Sequence, residues 1–285
     1  MPGPPIPLPY FDVILAELER GPDSLRTIFD KYVHWGYWPD PRRADGTPHD
    51  FARAAQQLTD RMIEAGRVRN GHRVLDVGCG FGGLVATLDE RHAGMELVGL
   101  NIDPRQLERA KRIVKPRPDN RVAWVEGDAC DMPFDDDTFD VVLAVECAFH
   151  FPSRARFLAE ARRVLRPGGR LALCDIVPSR VGSKMLFLRE TVFAAYLERV
   201  VGPTDLEVDT AKYLRLADDA GLRPVHVEDI TRHTVPTYKA LRRVGLETGV
   251  EPIVTTIGLS GMELLSRLGL LEYILLVFEP KASRA

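Results

Sequence analysis

The run Val74–Gly83 constrains the fold more than any other part of this chain, because it predicts a buried strand that turns through glycines into a helix. Its first residues, together with Arg73, supply a short apolar strand. Gly78, Gly80 and Gly82 then let the backbone turn where a Cβ atom would obstruct a ligand. The first turn of the next helix presents unpaired N–H groups to that ligand. The sequence therefore predicts a small-molecule cofactor site at this turn.

Two classes of cofactor use such a turn, and glycine spacing alone does not separate them. Gly78, Gly80 and Gly83 also satisfy the dinucleotide pattern G-x-G-x-x-G. Asp76 lies two residues before the first glycine, where it suits a cationic amino-acid group better than a pyrophosphate. With Gly82, these residues form an acidic-x-Gly-x-Gly-x-Gly arrangement that resembles motif I of the class I S-adenosylmethionine-dependent methyltransferases. A nicotinamide-dependent oxidoreductase remains an alternative, which a cofactor-binding measurement would separate.

Later segments agree with this resemblance in order and spacing, firmly over about residues 50–180 and loosely outside them. They comprise the strand Glu96–Asn101, the helix start Asp103-Pro104, the third strand and its acidic turn within Trp124–Asp140, the strand Val141–Val145, the helix end and turn Val164–Gly169, and the strand Leu171–Val177. The resemblance implies an α/β fold: a Rossmann-like, seven-stranded, mostly parallel sheet with an antiparallel last strand, plus N-terminal helices and an inserted helical cap.

The flanks are interpreted as parts of one domain over residues 1–285. Residues 1–70 form an N-terminal helical and aromatic lid, 71–180 the cofactor-binding core, 181–222 a helical cap insert, and 223–285 the end of the core sheet. Predicted helices are Asp12–Tyr32, Asp50–Ala65, Ser183–Val201, Leu206–Ala220 with Gly221 as its end signal, Tyr238–Val244 and Glu263–Leu268. Predicted strands are Arg223–Thr231 and Leu271–Phe278.

The resemblance assigns a row of residues to the cofactor. Asp76 meets the amino group of its methionine part, and the backbone from Gly78 through Cys79 and Gly80 to Gly82 approaches its sugar and amino acid. Asn101, beside Ile102, takes the ribose position, where the family usually has Asp or Glu; Asp103 is an alternative, or an N-cap. Asp128 and Ala129 contact the adenine, and Glu146 either faces the sulfonium end or is a loop acid.

The candidate catalytic residues follow the fourth and fifth strands. His150 lies just past the fourth strand and Asp175 ends the fifth, so adjacent strand ends bring both to one rim of the sheet. Histidine titrates near neutral pH, and a neighbouring carboxylate can orient it. The pair resembles the His and Asp of sugar and polyketide O-methyltransferases, which implies that His150 is the base and Asp175 its partner. Substrate positioning or loop packing is the alternative for His150.

Aromatic and apolar side chains near the termini are candidates for the acceptor pocket. His34, Trp35, Tyr37 and Trp38 form a lid over the cofactor, or belong to the core. The helix Ser183–Val201 is apolar on more than one face, which suits contact with the sheet and an apolar substrate, or a dimer contact. Its candidate substrate residues are Phe187, Glu190 and Tyr196.

Global properties narrow the class of protein further. The formal net charge of −3 gives no electrostatic case for nucleic acid. Four cysteines form no C-x-x-C pair, so they predict buried thiols rather than a zinc cluster or disulfides, and no motif indicates a metal. The amino terminus has no basic start, and no segment approaches membrane-spanning length, so a cytoplasmic protein is expected.

These observations predict an S-adenosylmethionine-dependent methyltransferase of secondary metabolism. It would transfer a methyl group to a hydroxyl of a small apolar natural product, acting as a monomer or homodimer. One alternative is C-methylation of an isoprenoid or alkene, in which Glu190 or Tyr196 would steady a carbocation. Another is a protein of the same fold that binds the cofactor without methylating, acting as a cyclase or assembly partner.

Overall fold

A central sheet with helices on both faces organises the chain. The computed structural model describes residues 9–186, 202, 205, 207–248 and 252–282. The strands of these ranges are β1 Arg73–Val77, β2 Glu96–Asn101, β3 Arg121–Glu126, β4 Phe139–Val145, β5 Leu165–Pro178, β6 Leu222–Asp229 and β7 Leu271–Pro280. The α-helices are α1 Pro9–Arg20, α2 Asp23–Ile28, α3 Pro48–Ala65, α4 Gly83–Arg91, α5 Pro104–Ile113, α6 Arg154–Val164, α7 Arg180–Leu186, α8 Thr210–Asp219, α9 Thr231–Thr234, α10 Pro236–Thr248 and α11 Pro252–Arg267. Short 3-10 turns lie at Pro41–Arg43 and Ala148–His150.

The seven strands form one sheet in the order β3-β2-β1-β4-β5-β7-β6. The pairs β1–β2, β1–β4, β2–β3 and β4–β5 are parallel, whereas β7 is antiparallel to both neighbours. The predicted Rossmann-like sheet and its antiparallel last strand are therefore confirmed. Because the chain reverses its direction of winding between β1 and β4, the carboxyl ends of these strands border the crevice where ligands of open α/β sheets bind.

Each face of the sheet carries its own apolar core. One core joins α6 and α8 to the sheet and contains Phe157, Leu158 and Tyr213. The other joins α3 and α4 to the opposite face and contains Leu58 and Leu88. Successive side chains of β1 point to opposite faces of the sheet, and those of its last four residues are all buried. Both faces of this strand are therefore covered. The sheet is thus a rigid platform for residues at its strand ends.

The glycine turn after β1 has the geometry expected from its sequence. Gly78, Gly80 and Gly82 have φ angles of 68°, 54° and 81°, a region that favours glycine. A Cβ atom on Gly82 would lie 2.4 Å from the ring of Trp124, so this glycine lets α4 pack closely on the sheet. The strand–turn–helix prediction for this segment is confirmed.

The flanking helices differ in part from the prediction. The helix predicted over Asp12–Tyr32 is two helices, α1 and α2, since Pro22 lacks the N–H that would continue the first. The helix predicted from Leu206 begins instead at Thr210, where the side chain of Asp209 accepts from the Lys212 N–H at 2.7 Å.

The cap prediction does not hold for residues 210–219. Tyr213 and Ala217 of α8 are wholly buried in the core that α6 shares with the sheet, so this helix covers a sheet face instead of the strand ends. The rest of the predicted cap helix, with Phe187, Glu190 and Tyr196, lies outside the described residues. None of the helices in the described ranges combines the length and apolar character needed to cross a bilayer.

Candidate active site

A cavity opens at the carboxyl ends of the first four strands. It encloses about 900 Å³, counting its open mouth. Four polar side chains mark the strand ends around it: Asp76 in β1, Asn101 in β2, Asp128 after β3 and Glu146 after β4. Every residue that the sequence assigned to the cofactor lines this cavity except Gly82, whose close neighbour is Trp124.

Asp76 is a buried acid that lines the cavity beside the glycine turn. Only 3% of the residue is exposed, and burial raises its pKa to about 8. Among the ion pairs of the described residues, none includes Asp76. A carboxylate removed from water is costly unless a cation or hydrogen-bond donors accompany it. Its position beside the glycine turn therefore favours a cationic ligand group.

Asn101 holds its amide in a fixed orientation at the end of β2. Its Nδ2 donates to Gln106 Oε1 at 3.2 Å, and its Oδ1 accepts from the Asp103 N–H at 3.1 Å. Asp103 caps α5 by accepting from the Arg105 N–H at 2.9 Å, and it also pairs with the Arg105 side chain. The N-cap alternative for Asp103 is thus confirmed, and at the end of β2 the polar side chains that line the cavity are Asn101 and Gln106.

Asp128 and Ala129 form the wall beyond β3. Asp128 Oδ1 accepts from the Cys130 N–H at 2.8 Å, and this local turn fixes the carboxylate at the cavity edge. Ala129 is buried beside it. The arrangement offers an acceptor oxygen with a flat, small-residue surface, which suits the edge of a heteroaromatic ring.

Glu146 is the first residue beyond β4 and has a φ of 54°. Its Oε2 accepts from the Trp35 N–H and from the Tyr273 hydroxyl, each at 2.7 Å. Burial raises the pKa of this carboxyl to about 8. Two hydrogen bonds therefore anchor this acid on the cavity wall, and its contact with the cofactor stays a prediction.

His150 and Asp175 do not form the predicted pair. His150 lines the cavity at the end of the Ala148–His150 turn, with 9% of its surface exposed. Asp175 is wholly buried, and its Oδ2 accepts from Arg154 Nε at 2.9 Å. The pleat of β5 places Asp175 on the same face as Leu173 and Val177, toward α6. Asp175 is therefore a structural ion-pair partner of Arg154, and the prediction that it orients His150 is wrong.

The aromatic segment after α2 divides between cavity and core. His34 lines the cavity, and burial lowers its pKa to about 4, so it is a neutral ring held between the Trp35 carbonyl at 2.9 Å and Thr59 Oγ1 at 3.0 Å. Trp35 packs on Tyr238 and Tyr273, with ring centroids 4.7 Å and 5.6 Å away.

Tyr37 and Trp38 are core residues, so of the two alternatives for these rings the structure favours the core. Tyr37 stacks on His233 with ring centroids 4.7 Å apart. Trp38 is 4% exposed, and its Nε1 donates to Asp50 Oδ2 at 2.9 Å. Both rings fill space between the N-terminal segment and the rest of the chain, a role that sequence alone does not distinguish from a lid.

Sequence reasoning missed the residues that cover the glycine turn. Lys31, Tyr32 and Val33 line the cavity, and a Cβ atom on Gly80 would lie 2.5 Å from Val33 Cγ2. The Tyr32 hydroxyl bonds to Gln56 and lies 2.6 Å from Thr87 Oγ1. Phe11 of α1 also reaches the cavity. These contacts join residues that are far apart in sequence, so no local sequence motif predicts them.

Comparisons with known proteins agree with this geometry. A family profile described as "Methyltransferase domain" matches residues 75–173. The methyltransferase GfsG of Streptomyces halstedii is 35% identical over 236 residues, 81% of each chain. The 27-O-demethylrifamycin SV methyltransferase of Amycolatopsis mediterranei is 34% identical over 235 residues, 80% of this chain and 81% of its own.

A solved structure of the same fold spans nearly the whole chain. It is the geranyl diphosphate C-methyltransferase of Streptomyces coelicolor, in complex with Mg²⁺, geranyl diphosphate and S-adenosyl-L-homocysteine. Its TM-score is 0.70 at 17% identity, and the match covers 97% of this chain and 100% of that one.

The fold and the matched domain define a class I methyltransferase. This chain belongs to the S-adenosylmethionine-dependent methyltransferase family, and S-adenosylmethionine is its methyl donor.

The residues present fit that donor. Asp76 supplies a buried carboxylate for the ammonium group, and the turn at Gly78 and Gly80 leaves space that a Cβ atom would fill. Asn101 and Asp128 supply amide and carboxylate groups at successive strand ends for a ribose and an adenine. The cofactor-binding role of each individual residue stays a prediction.

Proposed function

We propose that this enzyme methylates a hydroxyl group of a small, largely apolar natural product. The observation that carries the proposal is the similarity, along about four-fifths of both chains, to the 27-O-demethylrifamycin SV methyltransferase, whose name specifies transfer to an oxygen. GfsG, at 35% identity, is a further methyltransferase of similar extent. The wall of the cavity supports an apolar acceptor, since Phe11, Val33 and Phe151 lie among its lining residues.

In this proposal His150 is the base. The bound donor supplies a methyl group on a positively charged sulfur. His150, on the turn directly after β4, accepts the proton of the acceptor hydroxyl as its oxygen bonds to the methyl carbon and the sulfur–methyl bond breaks. The products are a methyl ether, S-adenosylhomocysteine and a proton that passes from His150 to solvent. His34 does not compete for this role, because burial lowers its pKa to about 4 and Thr59 and Trp35 occupy both ring nitrogens.

The test is a transfer assay with isotopically labelled methyl donor and a panel of hydroxylated polyketides and macrocycles. We expect label in a methyl ether, identified by the carbon shift of an O-methyl group. Matched acceptors in which the hydroxyl is replaced by hydrogen should receive none. Label on carbon, or equal transfer to the deoxygenated acceptors, would overturn O-methylation in favour of C-methylation. Donor binding without any transfer across the panel would instead favour a protein that binds the cofactor without methylating.

A further inference from the structure

The backbone at Glu146 is unusual for a residue with a side chain. Its φ of 54° lies in the left-handed region, which costs a non-glycine residue about 1–3 kcal/mol. The Glu146 N–H donates to the Cys174 carbonyl at 3.1 Å, so the backbone at this residue is still hydrogen-bonded to β5. This conformation aims the chain out of β4 with the glutamate on the cavity wall. A strained residue at a ligand cavity calls for a functional explanation.

The carboxylate of Glu146 is held from two distant parts of the chain. The Trp35 N–H and the Tyr273 hydroxyl both donate to Oε2 at 2.7 Å. Trp35 and Tyr273 also pack on each other, with ring centroids 5.6 Å apart. Within the described residues, both hydrogen bonds to this carboxylate end on the same oxygen. Oε1 is therefore left for a ligand, on a group that cannot rotate away without breaking two bonds.

Register places this carboxylate beside the glycine turn. In the β1–β4 pairing, Val77 lies opposite Ala144, so Glu146, two residues further on, is level with the turn. The neighbouring Cys147 touches the same turn, because a Cβ atom on Gly78 would lie 2.6 Å from Cys147 Cβ. In the strand order, β4 lies on the side of β1 opposite to β2. Glu146 therefore borders the amino-acid end of the cavity, away from Asn101 and Asp128.

In the described part of the protein, no cationic side chain accompanies the carboxyl group of Glu146. No ion pair of these residues includes it, and its two bonds come from an amide and a phenol. With the buried Asp76, the cavity thus holds two carboxyl groups on its β1–β4 side. The donor brings two cationic centres, an ammonium and a sulfonium. If Asp76 binds the ammonium, the second carboxylate remains for the second cation.

We propose that Glu146 contacts the sulfonium group of the donor and makes the site prefer the charged donor over its neutral, demethylated product. The inference rests on the proposed orientation of the cofactor, with adenine at Asp128 and the amino acid at Asp76. When the methyl group leaves, the sulfur changes from a cation to a neutral thioether, and the attraction to Glu146 is lost. The carboxylate is then left without a partner charge, as in the ligand-free protein, so the product gains no affinity from Glu146 and the charged donor can displace it.

The test compares the affinities of donor and product in one protein. Isothermal titration calorimetry with S-adenosylmethionine and S-adenosylhomocysteine is run on the full chain and on Glu146→Gln. Glutamine keeps an oxygen that can accept from Trp35 and Tyr273 but removes the charge. We expect the dissociation constant of the donor to rise about tenfold while that of the product changes less than twofold, where tenfold corresponds to about 1.4 kcal/mol. Product binding by the variant also shows that it is folded.

Tyr273→Phe is the matched control, because it removes one hydrogen bond to Glu146 Oε2 and leaves a carboxylate at position 146. It should weaken the binding of S-adenosylmethionine and S-adenosylhomocysteine equally, if at all. Equal losses for both ligands in Glu146→Gln, or no loss for either, would overturn the proposal. If Glu146→Gln weakens only S-adenosylmethionine binding, as expected, but the wild-type enzyme forms no methyl ether, the proposed function is contradicted and this inference still stands.

Discussion

Arg154 Nε donates to Asp175 Oδ2 at 2.9 Å, and both side chains are wholly buried. Arg154 also donates from Nη1 to the Asp205 carbonyl at 2.9 Å, and the Asp205 N–H donates to the Phe149 carbonyl at 3.3 Å. The ion pair therefore ties the start of α6 to the end of β5 and to the turn that carries His150. It supports the turn from behind and does not enter the cavity.

We expect Arg154→Met to lower the free energy of unfolding by about 3–5 kcal/mol, because it leaves Asp175 buried without its cation. The double variant Arg154→Met, Asp175→Leu should recover most of this loss, since the uncompensated charge is then gone. Urea denaturation of the ligand-free protein at pH 8 measures both. Equal losses in the single and double variants would show that the guanidinium acts through its packing on Tyr213 and its bond to Asp205.

The sequence was sufficient for the sheet because its signals are local. Apolar runs between breakers predict the strand Glu96–Asn101 and, as Leu271–Phe278, all but the last two residues of β7. The need for positive φ angles predicts the glycine turn. The same reasoning placed Asp76 and Asn101 at strand ends, where they line the cavity. Parallel strands converge at their carboxyl ends, so residues at those ends could be grouped without coordinates.

The predictions that failed concern side-chain contacts between residues that are distant in sequence, and local sequence signals do not specify such contacts. The sequence predicts Asp175 at the rim, but β5 continues to Pro178 and the side chain of Asp175 is buried against Arg154 of α6. Only the pleat of β5 and the position of α6 bring these two residues together. The sequence leaves Trp38 open between a lid and the core, and contacts with Asp50 and Phe51 hold it in the core. Lys31 and Val33 reach the cavity through tertiary packing, which no periodic pattern in the sequence indicates.

Donor affinity should rise with pH through the neutral range. Burial raises the pKa of Asp76 to about 8 in the ligand-free protein, and the donor's ammonium group favours the ionised form. Binding below pH 8 therefore releases a proton from Asp76, which by itself should increase the affinity up to tenfold per pH unit until this effect levels off above about pH 8.

Calorimetry in buffers of different ionisation enthalpy measures this proton release. Asp76→Asn should weaken donor binding at least tenfold at pH 8 and reduce the released protons. The residual release then belongs to Glu146, whose pKa burial also raises to about 8. An unchanged dissociation constant in Asp76→Asn would refute the assignment of the ammonium group to Asp76.

Gly80 and Gly71 form a matched pair for testing whether the glycine turn shapes the binding site of the methyl donor. Both have positive φ angles, of 54° and 81°, so alanine strains the backbone at each by about 1–2 kcal/mol. A Cβ atom at Gly71 meets nothing within 4 Å, whereas at Gly80 it lies 2.5 Å from Val33 Cγ2. Gly80→Ala should therefore displace the segment over the glycine turn and raise the donor dissociation constant at least tenfold. Gly71→Ala should lose stability alone; donor affinity that is equal in the two variants would mean that Val33 yields freely.

His150 should matter for turnover and not for donor binding. Its ring lies 4.1 Å from that of Phe149, centroid to centroid, and it faces the cavity beyond Glu146 and Cys147. A positioned base contributes about 10²–10⁴-fold to a rate. We expect His150→Ala to lower kcat by about a hundredfold or more with a donor dissociation constant within twofold of wild type, measured by labelled-methyl transfer and calorimetry.

If His150 removes the proton, its alanine variant should also regain activity as pH rises, because hydroxide can replace the base. His150→Gln, which keeps hydrogen bonding without a base, should resemble the alanine variant in kcat; recovery of kcat by glutamine would assign His150 to positioning the acceptor instead.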